Sequence, residues 1–224
     1  VIRLSHRQDY VSIKFDASNL ILLCVLIFFI LIDVVTFSYS ELGLSQVSAI
    51  ILLIATLLGA MINIPITTRK IQLEGRQSFL SRFFFYTPPK VVSQTIAINV
   101  GGALIPIGFS IYLLFRTSLL PTLVAGLAVI LIVRFIARPV PGTGITVPAF
   151  VPPLVSAGLA LLLARNHPAP VAYISGTLGT LIGGDLLNWP NFKKLGAHMI
   201  SIGGAGVFDG VFLAGVLAVL ITKI

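Results

Sequence analysis

Asp185 and Asp209 sit inside the last two long apolar stretches of a chain that keeps nearly all its other charge in loops. An ionisable side chain at membrane depth costs roughly 2.5–3.5 kcal/mol on insertion scales, so such residues mark ion paths or reaction centres. Two carboxylates that share a site cannot both ionise cheaply, so one keeps its proton while the other stays charged. The charged one can activate a water while the protonated one polarises a carbonyl, which is peptide hydrolysis. The same pair can instead bind and release a proton or a cation, which is carrier chemistry. The residue types leave both open.

The two acids lie in VAYISGTLGTLIGGDLLNW (residues 171–189) and ISIGGAGVFDGVFLAGVLAVL (residues 200–220). With a turn between them, their depths differ by roughly 7 Å at 1.5 Å rise per residue, close enough to meet if either helix tilts or unwinds. Gly183 and Gly184 supply a place to unwind. Gly176, Thr180 and Gly184 recur every fourth residue in one stretch, and Gly206, Gly210 and Ala214 in the other. Such stripes let helix backbones approach closely, so the two helices are expected to pack tightly, perhaps on each other, with packing alone as a sufficient reason for the glycines. Asn99, beside Gly101 and Gly102, is the best third polar ligand, with hydrogen bonding between helices as its structural alternative. Asn63 and Gln94 are further neutral polar residues of the same half.

The elements that must position these residues are long and apolar. The 224 residues are 57% hydrophobic and 10% charged, with mean hydropathy +1.05, outside the soluble globular range. Seven stretches approach the ~20 residues that a helical span needs, near 18–38, 44–65, 92–115, 119–137, 147–164, 171–189 and 200–222. The reading is an all-α, polytopic, seven-span integral membrane protein with its N-terminus in the cytoplasm. One transmembrane domain fills residues 1–224: a helix hairpin over 17–66, a basic aromatic cytoplasmic loop over 67–91 with scope for partial hairpin pairing, and a five-span core over 92–224. The first apolar run is longer than a signal-peptide core and is expected to stay as an anchor. Pro148, Pro152 and their neighbours predict that the fifth span begins broken, with a cavity beside it.

Charge sets the orientation. Of the fifteen Lys and Arg, twelve fall on the side of the N-terminus and only Arg116, Arg165 and Lys223 on the other. The positive-inside rule then places the C-terminus outside. Net charge +8 is compatible with nucleic-acid binding, but no basic run is interleaved with stacking aromatics, so no nucleic-acid partner is expected. Phe83, Phe84, Phe85 and Tyr86 read as a headgroup-level anchor. Asp33 reads as interfacial. Cys24 stands alone, and His6, His167 and His198 are scattered, so neither a disulfide, a metal site nor a cofactor is expected.

AYISGTLGTLIGGDLL and SIGGAGVFDGVFLAG, with INVGGALIPI and TGITVPAFVPP, resemble a bacterial and archaeal membrane family known as domain of unknown function sixteen-fourteen, over roughly residues 60–220. That resemblance implies a multi-pass protein of the prokaryotic inner membrane and no particular activity. The site chemistry is also similar to presenilin and signal-peptide-peptidase type intramembrane aspartyl proteases. On that likeness Asp185 and Asp209 are the catalytic pair, Gly206 to Asp209 parallels the Gly-x-Gly-Asp element, and Pro148-Ala149-Phe150 varies the Pro-Ala-Leu element. Gly184 stands where a Tyr is expected, Phe208 replaces the last Gly, and the Pro-Ala element precedes the acids. Three functions therefore stand: an intramembrane aspartyl protease acting on transmembrane peptides, an ion- or proton-coupled transporter, and a non-catalytic membrane scaffold. Asn99, Gly183, Gly184, Gly206, Gly210, Pro148 and Pro152 are the expected substrate-binding or supporting residues.

Overall fold

Three of the apolar runs do not become helices along their whole length. A computed structural model describes residues 17–73, 90–204 and 210–224. Residues 1–34 and 35–224 form two separate units. In the first, the described residues belong to helix α1 (Ala17–Glu41), and every side chain from Leu20 to Ile30 is exposed. Asp33 is exposed there as well.

The second unit is mostly helical but carries a three-stranded sheet, which corrects the all-α expectation. After α2 (Gln46–Gly59), strand β1 (Asn63–Leu73) pairs antiparallel with β2 (Lys90–Asn99), and β2 pairs parallel with β5 (Met199–Ile202). The spans expected over 44–65, 92–115 and 200–222 thus end or begin as strands, and part of the segment expected as a loop over 67–91 is strand. The hairpin pairing expected there holds over the described residues; the aromatic run Phe83 to Tyr86 lies outside them. The physical reason is composition. NIPITTRKIQL and KVVSQTIAIN are rich in β-branched residues, which fit a pleated surface better than a helix. A short apolar run by itself does not separate strand from helix. Pro65 falls on β1, an edge strand, where its missing N–H costs least, next to an irregularity in the register.

Gln94 ties this sheet to what lies beneath it. It is fully buried: Oε1 accepts from the Arg69 Nε and guanidinium at 3.0 and 2.9 Å, and Nε2 donates to the Phe192 and Ala197 carbonyls at 3.1 Å each.

The remaining helices are α3 (Ile105–Leu114), α4 (Leu119–Ile136), α5 (Val151–Leu163), α6 (Pro168–Thr180) and α7 (Gly210–Ile221). Between α4 and α5 lies a short hairpin of β3 (Arg138–Val140) and β4 (Gly144–Thr146). Pro152 and Pro153 occupy the first turn of α5, where a missing N–H costs nothing. The fifth apolar run therefore does begin non-helical, but its prolines start a helix rather than kink one.

Helix α6 is central: α3, α4, α5 and α7 all pack on it, and it is buried from Val171 to Thr177. Small residues allow this. Ala125, Ala160, Val171, Ala172 and Ala218 form one core cluster. A Cβ on Gly176 would lie 2.9 Å from both the Ala214 carbonyl oxygen and Ser156 Oγ, so the two glycine stripes do meet at Gly176 and Ala214. Among the described residues two helical segments, Leu20–Glu41 and Leu119–Ile136, are long and apolar enough to cross a membrane; the other apolar helices are shorter. An ion pair between Glu41 and Lys223 joins the ends of α1 and α7.

Candidate functional site

The expected unwinding at the glycine pair is present. Helix α6 ends at Thr180, widens into a π-helical turn over Leu181–Asp185, then tightens into a 3-10 helix over Leu186–Leu195. Helix α4 presses on this turn, since a Cβ on Gly183 would lie 2.5 Å from the Ile130 carbonyl oxygen. Changing the helical pitch releases carbonyls from the regular ladder. Asn188 takes them up: its Nδ2 donates to Gly183 and Gly184 at 3.1 and 2.8 Å. Its Oδ1 in turn accepts from Arg134 and Asn191, both at 3.2 Å. Sequence reasoning missed Asn188, although a buried amide four or five residues after a Gly-Gly break is a readable signal.

At the end of that turn, Asp185 Oδ2 accepts the Gly203 backbone N–H at 2.7 Å. Gly203 and Gly204 follow β5 with φ of +83° and +80°, a backbone that side chains resist. The Gly203 carbonyl lies against Gly102, leaving no room for a Cβ there. Asn99 fixes Gly102 from behind. Its Oδ1 accepts the Gly102 N–H at 2.6 Å, and its Nδ2 donates to the Ala60 carbonyl at 2.8 Å and to Asn63 Oδ1 at 3.2 Å. Ser201 Oγ donates to the same Asn63 oxygen at 2.5 Å. Asn63, Asn99 and Ser201 thus form a polar clasp across all three strands.

Asp185 borders a cavity of about 370 Å³. Its walls come from the β3–β4 hairpin with Val147, from Thr180 and Gly184, and from Ser201, Gly204 and Gly210. Among the described residues Asp185 is the one charged side chain lining it. The structure therefore brings Asp185, Gly184 and Gly210 together. It does not bring Asn99, which is fully buried and caps the turn after β2, nor Gly183, which packs on α4. Pro152 is buried in α5, and Pro148 lines a different hollow beside Phe135 and Arg138. Asn99, Gly183, Pro148 and Pro152 thus stand outside the cavity lining, in capping and packing positions. Asp209 and Gly206 lie outside the described residues. Ser201 is a cavity residue that the sequence did not single out, and Thr180, expected only as part of a packing stripe, lines the cavity too.

β2 runs into Gly101 and Gly102, which lie in a π-helical turn over Val100–Leu104 leading into α3; β5 runs into Gly203 and Gly204, whose φ is positive, and α7 begins at Gly210. The two strands are parallel neighbours, with Ile98 opposite Ile202. The two glycine pairs are thereby brought side by side. No group of three or more metal-ligating side chains occurs among the described residues.

A protein-family model described as "Protein of unknown function (DUF1614)" matches residues 57–221, a range that holds every residue named above for the site. Neither the curated proteins nor the solved structures give a match.

Proposed function

We propose that this chain, which belongs to the DUF1614 family, is a polytopic membrane carrier that couples the passage of a small solute or ion to proton or cation binding at Asp185. The observations that carry the reading are the parallel strands β2 and β5, each followed by a Gly-Gly pair, and the Asp185 carboxylate, which accepts the Gly203 N–H from the π-helical turn that ends α6. Repeated segments, discontinuous helices and a carboxylate at their interface are the usual parts of secondary transporters; here Asp185 is half-buried and lines the cavity.

The seven-span arrangement belongs to this proposal. The outer face of α4, with Leu120, Leu123, Leu127, Leu131 and Phe135, is exposed, as lipid contact requires and water disfavours. An open sheet edge does not survive in hydrocarbon, so the sheet that carries Arg69 and Lys70 sits at the basic, cytoplasmic boundary. The Asp185 cavity then opens near that boundary. Asp209 is kept as the second carboxylate on sequence grounds.

The test is electrometry on proteoliposomes given proton or sodium steps, with wild type, Asp185→Asn and Asp209→Asn. Cation-triggered currents that either change removes support the carrier. Cleavage of a transmembrane reporter that Asp185→Asn abolishes would replace it with the hydrolase. Neither activity in any protein would leave the scaffold.

A further inference from the structure

Most hydroxyls on the helices of this protein do what hydroxyls in apolar helices ordinarily do, which is to bond back to a carbonyl of the preceding turn. Thr56 donates to Leu52, Thr122 to Ser118, Ser156 to Pro152 and Ser175 to Val171, at 2.7–2.8 Å. Ser110 on α3 and Thr177 and Thr180 on α6 do not, and the last two lie close together. Both are more than nine-tenths buried, and neither Oγ1 has a hydrogen-bond partner. A buried unpaired hydroxyl costs ~1–3 kcal/mol, and each has a carbonyl one turn back within reach of another rotamer.

Their positions form a row. Tyr173, Thr177, Thr180 and Gly184 are spaced four, three and four residues apart, which is one face of α6. Thr177 stands beside the Tyr173 ring, outside hydrogen-bond geometry, and faces α7 at Gly215, where a Cβ would collide with its Oγ1. Thr180 and Asp185 both line the cavity. At the far end the Tyr173 ring meets the Tyr39 ring edge-on at 6.4 Å, and both are at least 98% buried. Successive members are separated along the axis by about 4.5–7.5 Å; one water bridges up to ~5.5 Å between two hydroxyls, and two bridge the longer gap.

We propose that Tyr39, Tyr173, Thr177 and Thr180 form a water-threaded proton path along α6 that ends on the Asp185 carboxylate. Each hydroxyl accepts a proton from one neighbour as it passes its own to the next, so none changes its charge, and only Asp185 gains or loses a proton. The unpaired hydroxyls are then partners of bound water, and the missing side chain of Gly215 leaves room for the Thr177 Oγ1. This rests on the carrier reading and narrows its coupling ion to the proton.

The experiment is proton flux into proteoliposomes with a trapped pH dye, under an imposed pH gradient and a potassium clamp. Wild type should conduct, and Thr177→Val with Thr180→Val should slow it by at least about tenfold, a factor set by ~1.4 kcal/mol on the barrier. Thr177→Ser with Thr180→Ser should restore it. Equal thermal midpoints for all three show that the valines have not disrupted the fold. Valine variants that conduct like wild type while Asp185→Asn does not would overturn the path and leave the carrier. A wild type that passes no protons but gives sodium currents sensitive to Asp185→Asn would do the same. Full conduction in Asp185→Asn as well would overturn both.

Discussion

Gly102 and Gly203 touch backbone to backbone: the carbonyl of Gly203 occupies the place a side chain would take on Gly102. The contact joins the end of β2 to the end of β5, and the N–H of Gly203 reaches Asp185 from there. The obstacle is the backbone of Gly203, which follows strand-paired Ile202 and whose N–H is bound by the Asp185 carboxylate, so it cannot move aside cheaply. Gly102→Ala should therefore cost ~3 kcal/mol or more, at the upper end for overpacking. Gly108→Ala, on α3 with nothing within 4 Å of its added carbon, should be neutral or stabilise by ~0.5–1 kcal/mol. Thermal midpoints in nanodiscs compare the two.

Gln94 uses both ends of its amide, on Arg69 and on two carbonyls. Replacing it with Leu keeps the volume and strands all three partners. A loss of ~2–4 kcal/mol is expected, the sum of more than one unpaired group. Gln94→Glu should be milder, because it keeps the Arg69 contact. Denaturation midpoints should rank wild type above Glu and Glu above Leu.

Asn188→Ala should release the Gly183 and Gly184 carbonyls and the Arg134 guanidinium together. The cost is again ~2 kcal/mol. Its location is diagnostic. Amide exchange should quicken over residues 181–195 before it does in α7, and uniform quickening would show that Asn188 is not the cap of the π-helical turn.

Asp185→Asn keeps an oxygen for the Gly203 N–H, while Asp185→Ala removes it. The Asn variant is expected to hold its stability within ~1 kcal/mol and the Ala variant to lose ~1–3 kcal/mol. Both should lose ion-triggered current. An Asn variant with full current would show the carboxylate to be only a structural acceptor.

Reporter fusions at residues 42 and 80 should land on opposite sides of the membrane, with residue 80 cytoplasmic, if the excess of Lys and Arg sets the topology. Both on one side would end the seven-span proposal.

Much of the site was legible because it depends on local rules. Gly183-Gly184 reads as a helix break wherever it lies, and Gly176 with Ala214 reads as close packing, since both follow from the size of a side chain. The start of the fifth helix at Val151 follows from Pro152 and Pro153 in the same way. Asn99, Pro148 and Gly183 were drawn into the site by their chemical type, and the structure returns them to capping and packing. Type says what a side chain can bond, not which neighbour reaches it first.

By itself, the sequence established the apolar, mostly helical character of the chain, the place where α6 unwinds, the two glycine stripes and the motifs shared with the DUF1614 family. These depend on composition and on spacing within a few residues. Only the tertiary structure decided that KVVSQTIAIN is a strand, that Asp185 is held by an amide 18 residues away, and that Ser201 closes on Asn63 138 residues away. It alone turned Thr177 and Thr180 from their own helix toward α7 and the cavity. The physical reason is that an apolar run satisfies helix and strand alike, and a polar group's partner is whichever complementary group packing delivers within about 3 Å.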